Sequence, residues 1–79
     1  MTARILTYAQ GRDLLGFSEQ TVELAPGVTG RDLFASFSRE PHLAPPASWR
    51  LAVDGEWTVW DKPVDHAAEI CFMPPFSGG

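Results

Sequence analysis

Residues 21–39, TVELAPGVTGRDLFASFSR, combine a strand, a turn and a helix, and this combination decides the fold class. Polar and apolar residues alternate from Thr21 to Ala25, which is typical of a strand with one buried face. Pro26 and Gly27 follow, and this pair predicts a turn that ends the strand. The strand therefore leads directly into a helix that can cover one face of a sheet.

The helix is predicted over residues 30–39 from its capping residues and its apolar periodicity. Thr29 is a suitable N-cap, and Asp32 stands three residues later, where a capping box has Glu. Pro41 stops the helix, because proline lacks the backbone N–H that an interior position requires. The stripe that would face the sheet consists of Leu33, Phe34 and Phe37.

The sequence on either side of this segment predicts four more strands. Branched and aromatic residues favour strands over 4–9, 50–53, 56–60 and 69–73. Asp54 and Gly55 predict a two-residue hairpin turn, because both residues tolerate a positive φ. Between Gly11 and Gly16 the sequence GRDLLG predicts one helical turn, which Gly16 can end.

The predicted order is a strand, a helical turn, a strand, a helix and three strands. One helix over one face of a mixed sheet of four to five strands is an α+β arrangement. The crossing from the second strand through the helix to the third permits a parallel placement of these two strands. We therefore predict a β-grasp, ubiquitin-like roll over residues 1–73 and a flexible tail over residues 74–79.

Length and charge exclude several classes of protein. A chain of 79 residues forms one small domain without a deep catalytic pocket, so a carrier, an adaptor or a subunit is predicted. The net charge of −4 and the lack of a basic cluster argue against nucleic acid and anionic membranes as partners. No apolar stretch is long enough to cross a membrane and no secretion signal is apparent, so we expect a cytoplasmic protein.

Cysteine and histidine do not predict a disulfide or a metal site. The single cysteine, Cys71, cannot form an internal disulfide. His42 and His66 are isolated, so no zinc site is expected, and we expect no cofactor to be bound by the chain itself. Cys71 allows two interpretations, a persulfide carrier or a small hydrophobic residue, and the second is more usual in an apolar strand.

The last residues, PPFSGG, predict a chemically active tail. Pro74 and Pro75 end the strand because neither can donate a backbone hydrogen bond. Gly78 and Gly79 have no Cβ atom, so their backbone fits a narrow channel that side chains would block. Adenylation by ATP would turn the carboxylate of Gly79 into an electrophile that can accept sulfur or an amine.

Residues 71–79, CFMPPFSGG, resemble the terminus of the MoaD family, the small subunit of molybdopterin synthase. In that family an aromatic-rich strand leads into Pro-Pro, two variable residues and Gly-Gly. Residues 8–16, YAQGRDLLG, resemble the family's first strand and the turn after it. Phe76 departs from the pattern, because many relatives have a smaller aliphatic residue there, and it would require a wider entrance in the cognate enzyme.

The resemblance implies that the chain is a non-catalytic sulfur donor. An E1-like adenylating enzyme would activate Gly79 with ATP, and a sulfur donor protein would convert the adenylate into a thiocarboxylate. The tail would then insert into the large subunit of molybdopterin synthase, in an expected heterotetramer, where its sulfur attacks a pyranopterin precursor. Holding the sulfur in a pocket would supply an effective concentration that free sulfide lacks. The inserting residues are Pro74, Pro75, Phe76, Ser77 and Gly78.

Strand alternation predicts an apolar patch on the face of the sheet that the helix leaves open. If Phe72 faces the helix, its neighbours Cys71 and Met73 face outward. We expect the patch to lie beside the tail, and the resemblance implies a contact with the large subunit there. The predicted patch consists of Leu6, Tyr8, Trp57, Val59 and Met73.

Three other functions are compatible with the same residues. The chain could deliver sulfur for thiamine, cysteine or another metabolite, although such carriers usually lack the aromatic-Pro-Pro run before Gly-Gly. It could also be a protein modifier, with Gly79 joined to lysines as in ubiquitin. Finally, it could be a plain interaction module with an inert tail.

Overall fold

The described part of the chain forms five strands and one helix. The structure is a computed structural model, and it describes residues 2–7, 15–37, 45 and 47–74. The strands are β1 (Thr2–Thr7), β2 (Glu19–Glu23), β3 (Arg50–Val53), β4 (Glu56–Thr58) and β5 (Glu69–Met73), and the helix is α1 (Gly30–Phe37).

All five strands belong to one mixed sheet with the order β2-β1-β5-β3-β4. β1 and β5 are parallel, and the other three neighbouring pairs are antiparallel. β2 and β3 therefore run in the same direction, as the predicted crossing permits, but β1 and β5 stand between them. The predicted β-grasp roll with one main helix is confirmed.

Two predicted strands, 50–53 and 69–73, have the predicted bounds, and the other three differ. β1 begins two residues earlier than predicted, at Thr2. β2 also begins earlier, at Glu19, because Glu19 and Gln20 pair with β1. β4 ends at Thr58 rather than at residue 60. Three predicted segments lie partly outside the described residues: positions 8–9 of the first strand, 38–39 of the helix and most of the GRDLLG turn. Gly16, at the end of that turn, has the positive φ of 86° that suits a cap.

The core lies between the sheet and α1. Residues of β1, β3 and β5 that face the helix supply most of the buried strand positions, and the helix contributes Leu33 and Phe34. Edge-to-face contacts join the Phe34 ring to Trp49, Trp60 and Phe72, with centroid distances of 5.6, 5.7 and 5.5 Å. The buried strand residues of this cluster are Ala3, Ile5, Leu51, Ile70 and Phe72.

The buried Thr7 shows that the inner face of β1 also carries a polar side chain. Its hydroxyl donates a hydrogen bond to the carbonyl oxygen of Phe17. No buried side-chain nitrogen or oxygen in the described part of the chain is without a hydrogen-bond partner. Burial of Thr7 therefore does not leave its hydroxyl unsatisfied.

A reciprocal capping box begins α1, as predicted from Thr29 and Asp32. The backbone N–H of Asp32 donates to the Thr29 Oγ1 atom at 3.1 Å, and the backbone N–H of Thr29 donates to the Asp32 Oδ2 atom at 3.2 Å. Two N–H groups that the helix cannot satisfy internally thereby gain partners.

Replacing Thr29 by alanine is expected to lower the free energy of unfolding by about 1 kcal/mol, because one N–H group loses its acceptor. Urea denaturation followed by circular dichroism measures this change. Thr29→Ser keeps a hydroxyl acceptor and is the matched control. Equal stability of the two variants would show that the cap contributes nothing.

The hairpin turn between β3 and β4 also fixes the start of β5. Asp54 and Gly55 have φ values of 51° and 85°, as a type I′ turn requires. One carboxylate oxygen of Asp54 accepts hydrogen bonds from the backbone N–H groups of Ala68 and Glu69, at 3.0 and 2.9 Å. These bonds set the position from which β5 leads to Pro74.

Candidate functional site: the open face of the sheet

A single row of residues, one from each strand, crosses the face of the sheet opposite the helix. Glu19 is opposite Leu6, Leu6 is opposite Cys71, Cys71 is opposite Ala52, and Ala52 is opposite Trp57. Because directly paired residues point to the same side, all five lie on one face. Their neighbours along the strands, such as Ile5 and Phe72, are in the core, so this face is the open one. We call these five residues the open-face row.

Trp57 is the exposed aromatic residue of this row. Its side chain is 59% exposed, and Val59, at 66%, is the other large apolar residue exposed in the described ranges. Trp60, three residues later, is instead packed inward, with its ring stacked on Phe72 at a centroid distance of 5.8 Å. The two tryptophans therefore separate into one surface and one core residue.

The structure brings together three of the predicted patch residues. Leu6 and Met73 lie half-buried on the open face, on the same side as Trp57. Val59 follows the end of β4, so strand alternation does not place it, but it lines a surface groove together with Trp57. Tyr8 lies outside the described residues.

The tail leaves the sheet at the end of β5. Pro74 is the last described residue, and it is buried. The predicted tail residues Pro75, Phe76, Ser77, Gly78 and Gly79 lie outside the described residues. β5 therefore ends where the predicted tail begins.

Arg50 is a residue of this face that the sequence analysis did not select. It pairs with Met73 across the β3–β5 ladder, and its guanidinium carbon lies 5.7 Å from the centroid of the Trp57 ring. A guanidinium at this distance from an indole ring is attracted to the ring face. Strand alternation contained the signal, because Arg50 shares the parity of Ala52 and so belongs to the open face.

Cys71 lies in the middle of the row, and its surroundings make it a poor nucleophile. It is buried, and its Sγ atom lies 3.2 Å from the Sδ atom of Met73. Desolvation, and secondly the charge of Glu69, raise the pKa of the Cys71 thiol to about 11. Persulfide and disulfide chemistry require a thiolate, so the geometry favours the small hydrophobic residue over the persulfide carrier.

Alkylation of Cys71 by iodoacetamide is expected to be slow at neutral pH and to accelerate as the pH rises toward 11, because only the thiolate reacts. The unfolded thiol loses its proton at lower pH than the folded one, so the free energy of unfolding should fall as the pH rises above about 9. Intact-mass measurement of the labelled fraction gives the rate, and the urea-unfolded chain is the control. Fast labelling of the folded chain at neutral pH would contradict this assignment.

The described residues offer the open face as the candidate site. Within the described ranges, no three His, Cys, Asp or Glu side chains are placed to hold a metal ion. His66 is at the surface, 3.8 Å from the carboxylate of Asp65, and His42 lies outside those ranges. No helix among the described segments has the length and apolar character needed to span a membrane.

Proteins of known structure share this fold. A structure titled putative molybdopterin converting factor, subunit 1, from Pyrococcus furiosus aligns with a TM-score of 0.71 and 22% identity, over 96% of this chain and 99% of that one. Small archaeal modifier protein 1 of Haloferax volcanii aligns with a TM-score of 0.69 and 14% identity, over 95% and 98% of the two chains. At these identities the likeness concerns the fold.

Sequence comparison gives a closer likeness. The molybdopterin synthase sulfur carrier subunit of Chlamydomonas reinhardtii is 31% identical over 84 aligned positions, which cover 100% of both chains. A match to the ThiS family extends over residues 5–79 and so includes four strands completely, the second half of β1, the helix and the Gly-Gly end. Because that match spans nearly the whole sequence, the chain belongs to the ThiS family.

Proposed function

We propose that the chain is the sulfur carrier subunit of a molybdopterin synthase and that Gly79 carries the sulfur as a thiocarboxylate. The observation that carries this proposal is the full-length, 31% identity to the sulfur carrier subunit of Chlamydomonas reinhardtii. The Gly-Gly end lies within the family match, and the β-grasp fold agrees with the same role.

The chemistry requires only the terminal carboxylate from this chain. A carboxylate oxygen of Gly79 attacks the α-phosphorus of ATP in the E1-like adenylating enzyme, and pyrophosphate leaves. The outer sulfur of a persulfide on the donor protein then attacks the acyl carbon and displaces AMP. A second thiol attacks the inner sulfur of the resulting acyl persulfide, so that a disulfide forms and the S–S bond to the carrier breaks. The resulting thiocarboxylate is ionised at neutral pH and is a soft nucleophile, which suits transfer of sulfur to a pyranopterin precursor.

The folded domain provides the surface that the partner proteins bind. Its open face supplies an apolar surface next to the point where the tail leaves the sheet. Docking of this face on the large subunit would hold the terminal sulfur at a fixed position, which raises its effective concentration. Cys71 takes no part in this transfer, because burial keeps its thiol protonated.

Intact-mass spectrometry tests the proposal on a chain that ends at Gly79. After incubation with ATP, the adenylating enzyme and the sulfur donor, the mass should increase by the exchange of one oxygen for sulfur. The loaded chain should then convert the pyranopterin precursor in the presence of the large subunit. Sulfur loading without this conversion would indicate another sulfur pathway, lysine adducts would indicate a protein modifier, and an unchanged mass would indicate an inert tail.

Trp57→Asp is expected to weaken association with the large subunit at least about tenfold, because exposed aromatic residues at the centre of an interface contribute strongly to binding. Isothermal titration calorimetry measures this change, and the melting temperature should stay the same since Trp57 is exposed. Ala25→Asp adds the same charge at an exposed position before α1 and should bind like the wild type. Unfolding of the Trp57 variant would show that this side chain belongs to the core.

A further inference from the structure

The open face carries a negative charge at one margin and a positive charge at the other. Its β2 end is the carboxylate of Glu19, which is exposed and makes no ion pair or hydrogen bond with a described residue. Its β4 end is Trp57, with the guanidinium of Arg50 against the ring at 5.7 Å. Three apolar or small residues lie between Glu19 and Trp57 in the row. They are Leu6, Cys71 and Ala52.

The other charged side chains on this face have partners within the chain. Arg4 donates to the carboxylate of Glu69 at 2.6 Å, and Glu23 accepts a hydrogen bond from the Thr2 hydroxyl at 2.9 Å. Arg50 differs from the other described arginines, Arg4 and Arg31, because its contact is an aromatic ring and not a carboxylate.

The geometry of Arg50 suits a carboxylate from another protein. A guanidinium held against an indole ring keeps the N–H groups at its edge available for donation. A carboxylate can accept two parallel hydrogen bonds from such an edge, and an exposed arginine without an internal acid gains most from that contact.

The two ends of the row, Glu19 and Trp57, are a fixed distance apart. Neighbouring strands are about 4.8 Å apart, so the four intervals of a five-stranded row separate Glu19 from Trp57 by about 19 Å. A partner that covers the apolar middle of the row therefore meets both charges at once. If the partner docked in the opposite orientation, rotated by 180° on this face, like charges would lie against each other at both margins.

We propose that the open face docks in one orientation on the large subunit, which presents a carboxylate to Arg50 beside Trp57 and a lysine or arginine to Glu19 at the opposite margin. The inference rests on the proposed function, because it assigns the chemistry of that partner. Arg50 pairs with Met73 at the end of β5, so the orientation also decides from which side the tail enters the partner.

Charge reversal at the two ends tests the proposal. The variants are Arg50→Glu, Glu19→Lys and the double variant, which keeps the net charge of −4 because the changes of −2 and +2 cancel. Surface plasmon resonance on the immobilised large subunit encoded in the same genome measures the association rate and the Kd at low and high salt. Melting curves check that each variant is folded.

Each single reversal is expected to raise the Kd about tenfold at low salt, mainly through slower association, and less at high salt. The double variant should lose about a hundredfold, because distant sites add. Arg50→Lys keeps the charge but not the planar group, and its loss should be smaller than that of Arg50→Glu.

Matched controls carry the same charge changes outside the open face. Lys62 is exposed in the connection after β4, and Glu56 pairs with Val53 on the inner side of β3. Lys62→Glu, Glu56→Lys and their double variant should bind like the wild type. Equal effects in the control and test variants would overturn the proposal.

Two further results would overturn it in distinguishable ways. If the wild-type chain does not bind the large subunit, the proposed function fails and the inference fails with it. If the row instead joins two copies of this chain, the double reversal restores the association that each single reversal weakens, since both ends change sign in both copies. Sedimentation velocity of the chain alone detects that behaviour, whereas a separate partner makes the double variant the weakest.

Discussion

Deleting Gly79, or adding one alanine after it, is expected to abolish sulfur transfer and leave the melting temperature nearly unchanged. Deletion moves the carboxylate to Gly78, one residue short of the position where the partner enzymes would bind it. The extension replaces the terminal glycine carboxylate with that of alanine, whose Cβ atom hinders both the attack and the channel. The core consists of residues between Ala3 and Phe72, so neither change removes core packing.

Intact-mass measurement after incubation with ATP, adenylating enzyme and sulfur donor gives the loaded fraction, which should fall from nearly complete to undetectable. Ser77→Ala keeps the length and both terminal glycines, and it should still be loaded. Sulfur transfer by the shortened or the extended chain would refute the role assigned to Gly79.

Phe34→Ala is expected to lower the free energy of unfolding by about 3–5 kcal/mol, enough to unfold much of the population in a domain of this size. The Phe34 side chain is fully buried and makes edge contacts with three other rings. Its removal leaves a cavity that the rigid indole of Trp49 and the other rings cannot fill.

Urea unfolding monitored by circular dichroism and tryptophan fluorescence measures this loss of stability. Phe34→Leu retains most of the volume and should cost clearly less than the alanine variant. A loss below about 1 kcal/mol for Phe34→Ala would mean that the core can collapse around the missing ring.

Local patterns predicted the elements that depend on neighbours in sequence. The capping pair Thr29 and Asp32, and the turn at Asp54 and Gly55, are short-range features, and the structure has both. Alternation along β5 also placed Cys71 outward, because each residue of a strand faces away from the next.

The structure differs from the prediction where pairing between distant segments determines the bounds and the order of the strands. β2 begins at Glu19 because Leu6 on β1 pairs with it, and no local signal marks that partner. The insertion of β5 between β1 and β3 is equally non-local. Trp60 is in the core although β4 has already ended, because the turn after that strand packs its ring against Phe72.

The candidate site was predictable in part for the same reason. Alternation identified Leu6, Trp57 and Met73 as residues of one face, but their order across the sheet depends on the registers of all four ladders. The charged ends of the row could be recognised only after those registers were known. Nothing in the neighbouring sequence distinguishes Glu19 from other charged surface residues.

The last strand in sequence is the one that unites the sheet. β5 pairs with β1 and with β3, and the ion pair from Arg4 to Glu69 joins residues 65 positions apart. A chain that is interrupted before β5 would hold only two separate pairs of strands, β1 with β2 and β3 with β4. During synthesis the domain can therefore close only after nearly all of it has left the ribosome. We therefore expect chains that end before β5 to stay unfolded and to be open to proteolysis.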